Sequence, residues 1–186
     1  MKGHIMGGST VLEIKTIGDE VLKQKAKKVA KKDIASRMDF INEMKEIMHK
    51  NGKAVGIAAP QVGISEQIIV IEIKDTPTYL NTKPLPLTIM INPRVTPLTK
   101  EKADGYEGCS SAIAIMGIVP RYKKILVEYI DEKGKNHKLE LEDFQARVVQ
   151  HEVDHLKGIM FFERVKDTKT FITRENHRKY VLKIEE

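Results

Sequence analysis

Apolar residues recur at three- and four-residue spacing over residues 33–51, where Ile34, Met38, Phe40, Ile41, Met44, Ile47 and Met48 share one side of a helical wheel. This pattern predicts a helix that buries one face, with Asp33 as its N-cap and Gly52 just past its end. Methionines at this spacing are adaptable core filler. Residues 143–157 carry a second helical pattern through Phe144, Val148 and Leu156, and Gly158 follows it as a C′ residue. Between the two helices the pattern changes. Residues 67–74 (QIIVIEIK), 87–91 and 125–130 are rich in β-branched side chains and read as strands, with Pro77, Pro84 and Pro86 marking a loop between the first two. The run Asp131-Glu-Lys-Gly-Lys135 is a turn signal that pairs the third strand with residues 136–141. Residues 159–162 read as a short buried strand, and residues 174–184 as a charged terminal helix. Strands joined by hairpins pair antiparallel, so the expected class is α+β, with mainly antiparallel sheets packed around the second helix.

A chain of 186 residues, 41% hydrophobic and 31% charged, fits one compact domain. We assign it to residues 10–186, because residues 1–9 (MKGHIMGGS) read as a leader or tag with an incidental His4. The apolar run from Ile68 to Ile71 is far too short to span a bilayer, so no membrane partner is expected. With no export signal and a single cysteine there is no disulfide framework, and the cytoplasm is the expected location. The net charge of +6 favours a polyanionic partner such as the ribosome, and Lys23, Lys25, Lys27, Lys28, Lys31 and Lys32 form the densest basic cluster. No aromatic residue is interleaved with them to stack on bases, so a solvated face is the favoured reading and no DNA partner is expected.

The chemistry lies on the second helix. His151-Glu-Val-Asp-His155 puts two imidazoles one turn apart on one face, where both reach a single metal ion with Glu152 beside them. Two helical histidines are also compatible with ordinary core residues, but these two continue the apolar stripe of Phe144 and Val148, where rigid presentation is available. A catalytic centre of this kind takes a third protein ligand and keeps one position open. An extended motif would need histidine at 161, where Phe161 stands. Glu175 has the spacing of a zinc peptidase ligand. Cys109, in Tyr106-Glu-Gly-Cys-Ser-Ser111, sits beside a glycine that lets the backbone approach a site closely, although a lone cysteine is more often a small buried hydrophobe.

Three segments, Gly56-Ile-Ala-Ala-Pro-Gln61, Glu107-Gly-Cys-Ser-Ser111 and Gln150-His-Glu-Val-Asp-His155, resemble in order and spacing the signature motifs of peptide deformylases. The similarity runs over about residues 11–165 and includes an Ile91-Asn92-Pro93 turn and Val119-Pro120-Arg121. The resemblance implies that Cys109, His151 and His155 bind a divalent metal, that Glu152 transfers the proton, and that Gln61 with the backbone N–H of Ser110 forms an oxyanion site. It also implies the substrate, the N-formyl group of nascent polypeptides that begin with formyl-methionine. Ferrous iron is the ion the family leads one to expect, while one thiolate and two imidazoles also accommodate zinc, nickel or cobalt. Gly56, Ile57, Met116, Arg147 and Val148 are the expected substrate-binding residues.

The chain departs from the pattern around those ligands. Ser110 replaces a leucine, though its backbone N–H is retained. Ile113, Ala114, Met116 and Gly117 stand where the family has a proline and then Arg-Gly, and Ala54 stands where glycine is frequent. Arg147 lies one turn before His151 where the family has a small or apolar residue. Its stem can pack while the guanidinium reaches solvent or a carboxylate, which is the favoured reading, or it can close or recharge the pocket toward an acidic substrate. Glu107, Arg121 and Asp154 are expected to pair in support of the ligands. The expected function is removal of the N-formyl group. The alternatives are a hydrolase with altered N-formyl substrate preference, a zinc peptidase using Glu175, and a non-catalytic module that binds the ribosome or RNA.

Overall fold

A computed structural model describes residues 12–50, 54–74 and 82–183. The assignments made for residues 1–9, for Gly52 and for Pro77 lie outside them. Eight strands form two antiparallel sheets: β1 (Gly56–Ala58), β2 (Ile68–Ile73), β3 (Leu85–Pro97), β6 (Lys124–Ile130) and β7 (Asn136–Glu142) in the order β1-β2-β3-β6-β7, and β4 (Lys102–Cys109), β5 (Ala112–Tyr122) and β8 (Ile172–Thr173) in the order β4-β5-β8. Helix α1 (Met38–Lys50) covers one face of the larger sheet, and α2 (Asp143–Leu156) packs between the sheets. The class is α+β, as expected.

The alternation in β2 places the two cores. Ile69, Ile71 and Ile73 join Met90, Ile125 and Leu141 against Val149, Val153 and Leu156 of α2. Ile68 and Val70 point the other way, with Ile91, onto Ile41, Met44 and Met48 of α1. Because both faces are covered, β2 reads as an unbroken apolar run rather than an alternating one. Helix α2 is buried nearly all round, and its polar side chains find fixed partners. The Gln150 amide donates to Tyr122 O (2.9 Å) and accepts from Tyr122 N (3.1 Å), which ties the helix to the end of β5. Gln145 donates to the carbonyls of Lys83 and Pro84.

Four expectations are corrected. Helix α1 starts at Met38 rather than after Asp33, because two short 3-10 turns, Lys31–Asp33 and Ala35–Arg37, precede it and the Asp33 side chain caps neither. Residues 159–162 are not a strand. Phe161–Arg164 form a 3-10 turn closed by Glu163, whose carboxylate accepts from Met160 N (2.7 Å), and Phe161 is buried there. The terminal segment gives only a short helix, α3 (Arg174–Asn176), and a π-helical turn, His177–Val181, because its side chains are mostly exposed and have no face to bury. Asn92 is no turn between elements but a kink inside β3, in a left-handed conformation (φ 52°) held by paired hydrogen bonds to Val29 N and O. Gly158, in contrast, ends α2 as expected with φ +72°, and a Cβ there would meet Lys23 O at 2.5 Å.

Candidate metal centre

Cys109 closes β4 at a two-residue turn into β5, with Ala112 opposite it in the ladder. The turn brings the buried thiol onto the His151–His155 face of α2. The Cys109 sulfur and one ring nitrogen each from His151 and His155 all lie within 4.8 Å of one another, and Cys109 Sγ is 3.3 Å from His155 Nε2. A tetrahedral ion with metal–sulfur and metal–nitrogen bonds near 2.3 and 2.0–2.1 Å requires ligand separations of roughly 3.3–3.6 Å. The donor set therefore fits a metal ion. Glu175 is not part of the converging group; it sits exposed on α3 at the rim of the cleft.

The electrostatics prepare the donors. Burial alone would raise the Cys109 thiol, but the adjacent imidazoles of His155 and His151 hold it well below its ordinary value, which favours the ligating thiolate. His151 Nδ1 lies 2.9 Å from Glu107 Oε2, so this bond leaves Nε2 free to face the sulfur. Glu107 is buried and also takes both ends of the Arg121 guanidinium, at 2.9 Å each. Arg121 in turn binds Asp154, which Arg164 holds from outside. Glu107, Arg121 and Asp154 thus pair as anticipated, behind the ligands. Burial would raise the Glu107 carboxyl, yet Arg121 and His151 bring it from its usual 4.5 to about 2. Because the folded value is depressed, the stabilisation is complete above pH 4.5 and is lost as the pH falls toward 2. Stability should decline over that window, and Glu107→Gln should flatten the acid limb of a Tm–pH curve. Arg121→Met should cost about 3–5 kcal/mol in urea denaturation, since it strips the shared partner from two buried carboxylates; a loss under about 1 kcal/mol would contradict the network.

Glu152 lies on the same face, buried, with Oε2 lacking a hydrogen-bond partner among the described residues. Burial pushes its carboxyl up, against the pull of His151 and His155. Gly56 of β1 packs against this group so closely that a Cβ would come within 2.6 Å of Glu152 Oε1. Gly56→Ala should therefore displace the carboxylate and lower kcat by about 100-fold, the scale of a ~1 Å misplacement. A kcat within twofold of wild type would mean that Glu152 gives way freely.

Gln61 sits in the 3-10 turn Ala59–Val62 that follows β1. Its Oε1 accepts from Ala58 N (2.8 Å), which turns Nε2 toward Cys109 Sγ and Ser111 Oγ, both at 3.3 Å. A cleft of about 900 Å³ opens over these groups, lined by Gly56, Gln61, Cys109, Ser110, Met116, Arg147, Val148, His151 and Glu152 among others. Ile57 is the exception among the expected substrate-binding residues: its side chain is 2% exposed, in the core beneath α1, because alternation along β1 turns it away from the cleft. Arg147 does not reach out to solvent. Its Nη1 donates to Glu107 Oε1 (2.9 Å) and the carbonyls of Val119 (2.8 Å) and Gly105 (3.3 Å), and its Nη2 to Ala103 O (2.6 Å), over a glycine whose Cβ would fall 2.9 Å from the guanidinium. The carboxylate-pairing form of the favoured reading describes this geometry. Ser111, Tyr106 and Arg174 reach the site or cleft without having been singled out. Ser111 alone had a signal, its place inside the cysteine motif.

The sequence model of the polypeptide deformylase family matches residues 11–171. The chain belongs to this family. Peptide deformylase 2 of Nostoc sp. is 37% identical over 173 residues, covering 93% of this chain and 96% of the relative. Peptide deformylase of Synechocystis sp. is 41% identical over 155 residues, covering 83% and 79%. Among solved structures, the Met-Ala-Ser-bound class I type b peptide deformylase from Acinetobacter baumannii superposes with a TM-score of 0.79 at 34% identity, covering 85% of this chain and all of that one. An actinonin complex of the Synechococcus elongatus peptide deformylase gives 0.75 at 31% identity, covering 91% and 87%. Deformylases are metal-dependent hydrolases, and the Cys109–His151–His155 group is this chain's candidate for their metal.

Proposed function

We propose that this deformylase removes the N-formyl group from the N-terminal formyl-methionine of nascent polypeptides, using a ferrous ion held by Cys109, His151 and His155. The observation that carries the reading is the convergence of those three donors beside an unpartnered Glu152 oxygen and the aimed Gln61 amide. Bound there, the ion acts as a Lewis acid and lowers the pKa of water toward neutrality. Glu152, buried against Gly56, takes the proton of the attacking water and passes it to the leaving amine, which becomes the free N-terminus. As the formyl carbon turns tetrahedral its oxygen gains charge. The Gln61 Nε2–H and the Ser110 backbone N–H supply fixed donors for it, and Ala58 prevents the Gln61 amide from turning over. Val148, Val55 and Phe144 give the cleft an apolar wall for the methionine side chain.

The exposed lysines between Lys23 and Lys32 form the basic surface through which the enzyme meets the ribosome, in the cytoplasm. Among the described residues no helix is long and apolar enough to cross a membrane. A peptidase reading is separated by product. With formyl-Met-Ala-Ser, acetyl-Met-Ala-Ser and a blocked internal peptide as substrates, mass spectrometry should find only Met-Ala-Ser, from the formyl substrate. Cleavage within the chain of any of them would favour the peptidase.

A further inference from the structure

We propose that Arg174 selects formylated substrates bearing a carboxylate within the first residues after the formylated one, a specificity that rests on the deformylase reading above. Arg147, the other arginine that lines the cleft, has its charge met by Glu107 and its donors taken by three carbonyls. Arg174 differs. It lines the same cleft, is exposed, and has no ion pair or side-chain hydrogen bond among the described residues.

Its placement is fixed rather than incidental. Strand β8 pairs Ile172 with Met116 and Thr173 with Ile115, which anchors the chain before Arg174 to β5, and Thr173 Oγ1 accepts from Asn176 N (3.1 Å), which ties the turn after Arg174 back to that strand. The guanidinium then lies over Gly108, whose Cβ, if present, would fall 2.9 Å from Nη2 and 3.1 Å from Cζ. Gly108 precedes Cys109 on β4 and both line the cleft with Arg174, so a free planar fork of donors stands on the cleft wall one residue along the strand from Cys109. A guanidinium in this setting recognises a carboxylate in two-pronged fashion. Glu175 follows it at the rim of the same cleft, with no ion pair between the two among the described residues. An extended peptide advances about 3.3–3.6 Å per residue, which brings the second or third residue of a bound substrate past Gly108.

The test uses the metal-loaded full chain and C-terminally amidated peptides, formyl-Met-Asp-Ala, formyl-Met-Ala-Asp and their asparagine counterparts. In wild type, kcat/KM for at least one aspartate peptide should exceed that of its asparagine partner roughly tenfold, and the ratio should shrink at raised ionic strength. Arg174→Gln should bring the ratio near one, and Arg174→Glu should bring it below one, in favour of the asparagine peptides. These ratios are internal, so a general loss of activity does not mimic the result. A wild-type ratio near one, or a preference that survives both substitutions, overturns the assignment to Arg174. No formate from any peptide overturns the deformylase reading and this proposal with it, whereas formate without an acidic preference overturns the proposal alone.

Discussion

Glu152→Gln keeps its metal and loses formate release by roughly 10²- to 10⁴-fold in kcat, the range of a removed general acid–base group. The carboxamide fills the same space against Gly56, so packing is preserved, but it cannot accept the proton from water. The carboxylate stands outside the converging group of Cys109, His151 and His155, and its Oε2 has no hydrogen-bond partner among the described residues. Metal per chain, read by elemental analysis, should therefore match wild type while turnover collapses. Burial holds the Glu152 carboxyl above its ordinary value, so the acid limb of the wild-type kcat/KM profile should lie on the high side of a free glutamate. A variant that loses metal as well would place Glu152 among the ligands.

Cys109→Ala should have the opposite signature. Two imidazoles alone make a weak site, so metal should fall well below one per chain, and formate release should drop by more than the roughly 10- to 100-fold that follows loss of a mere supporting contact. The fold should survive, because the cysteine is a small residue packed with Leu22, Ala112 and Val119 and its replacement removes little volume. Glu175→Ala should retain full metal content. If the glutamate variant lost the ion and the cysteine variant kept it, the peptidase arrangement would replace this one.

Some elements were legible because their signals are local. The β-branched run of β2, the stripe of α1 and the turn at Asp131 each announce themselves within a few residues, and His151 with His155 shows the period of the helix that carries them. Strands β4 and β5 gave no such signal. β4 is polar or small apart from Tyr106, and β5, though apolar, is interrupted by Gly117 and Pro120, so what makes them strands is the long ladder from Lys102↔Tyr122 to Gly108↔Met116. Gly105 and Gly108, which weaken a strand reading, are small because Arg147 and Arg174 lie over them. The same non-local logic hid the third donor of the candidate site, since only the β4–β5 turn carries Cys109 to α2, and among the candidates for that place it was the resemblance to deformylases that decided. Arg147 could be read as a departure that pairs with a carboxylate, but its partners could not be named, because its four acceptors come from β4 and β5. The end of the described chain misled for a simpler reason: residues 174–183 have helical composition but mostly exposed side chains, so among the described residues only a short helix and a π turn form.

The most direct measurement titrates ferrous iron, or cobalt as a stable substitute, into metal-free protein under anaerobic conditions while following formate release from formyl-Met-Ala-Ser. Turnover should rise in proportion to bound metal and level off at one ion per chain, with Cys109→Ala silent at every concentration. Turnover in the metal-free chain, or none at full occupancy, would contradict the account.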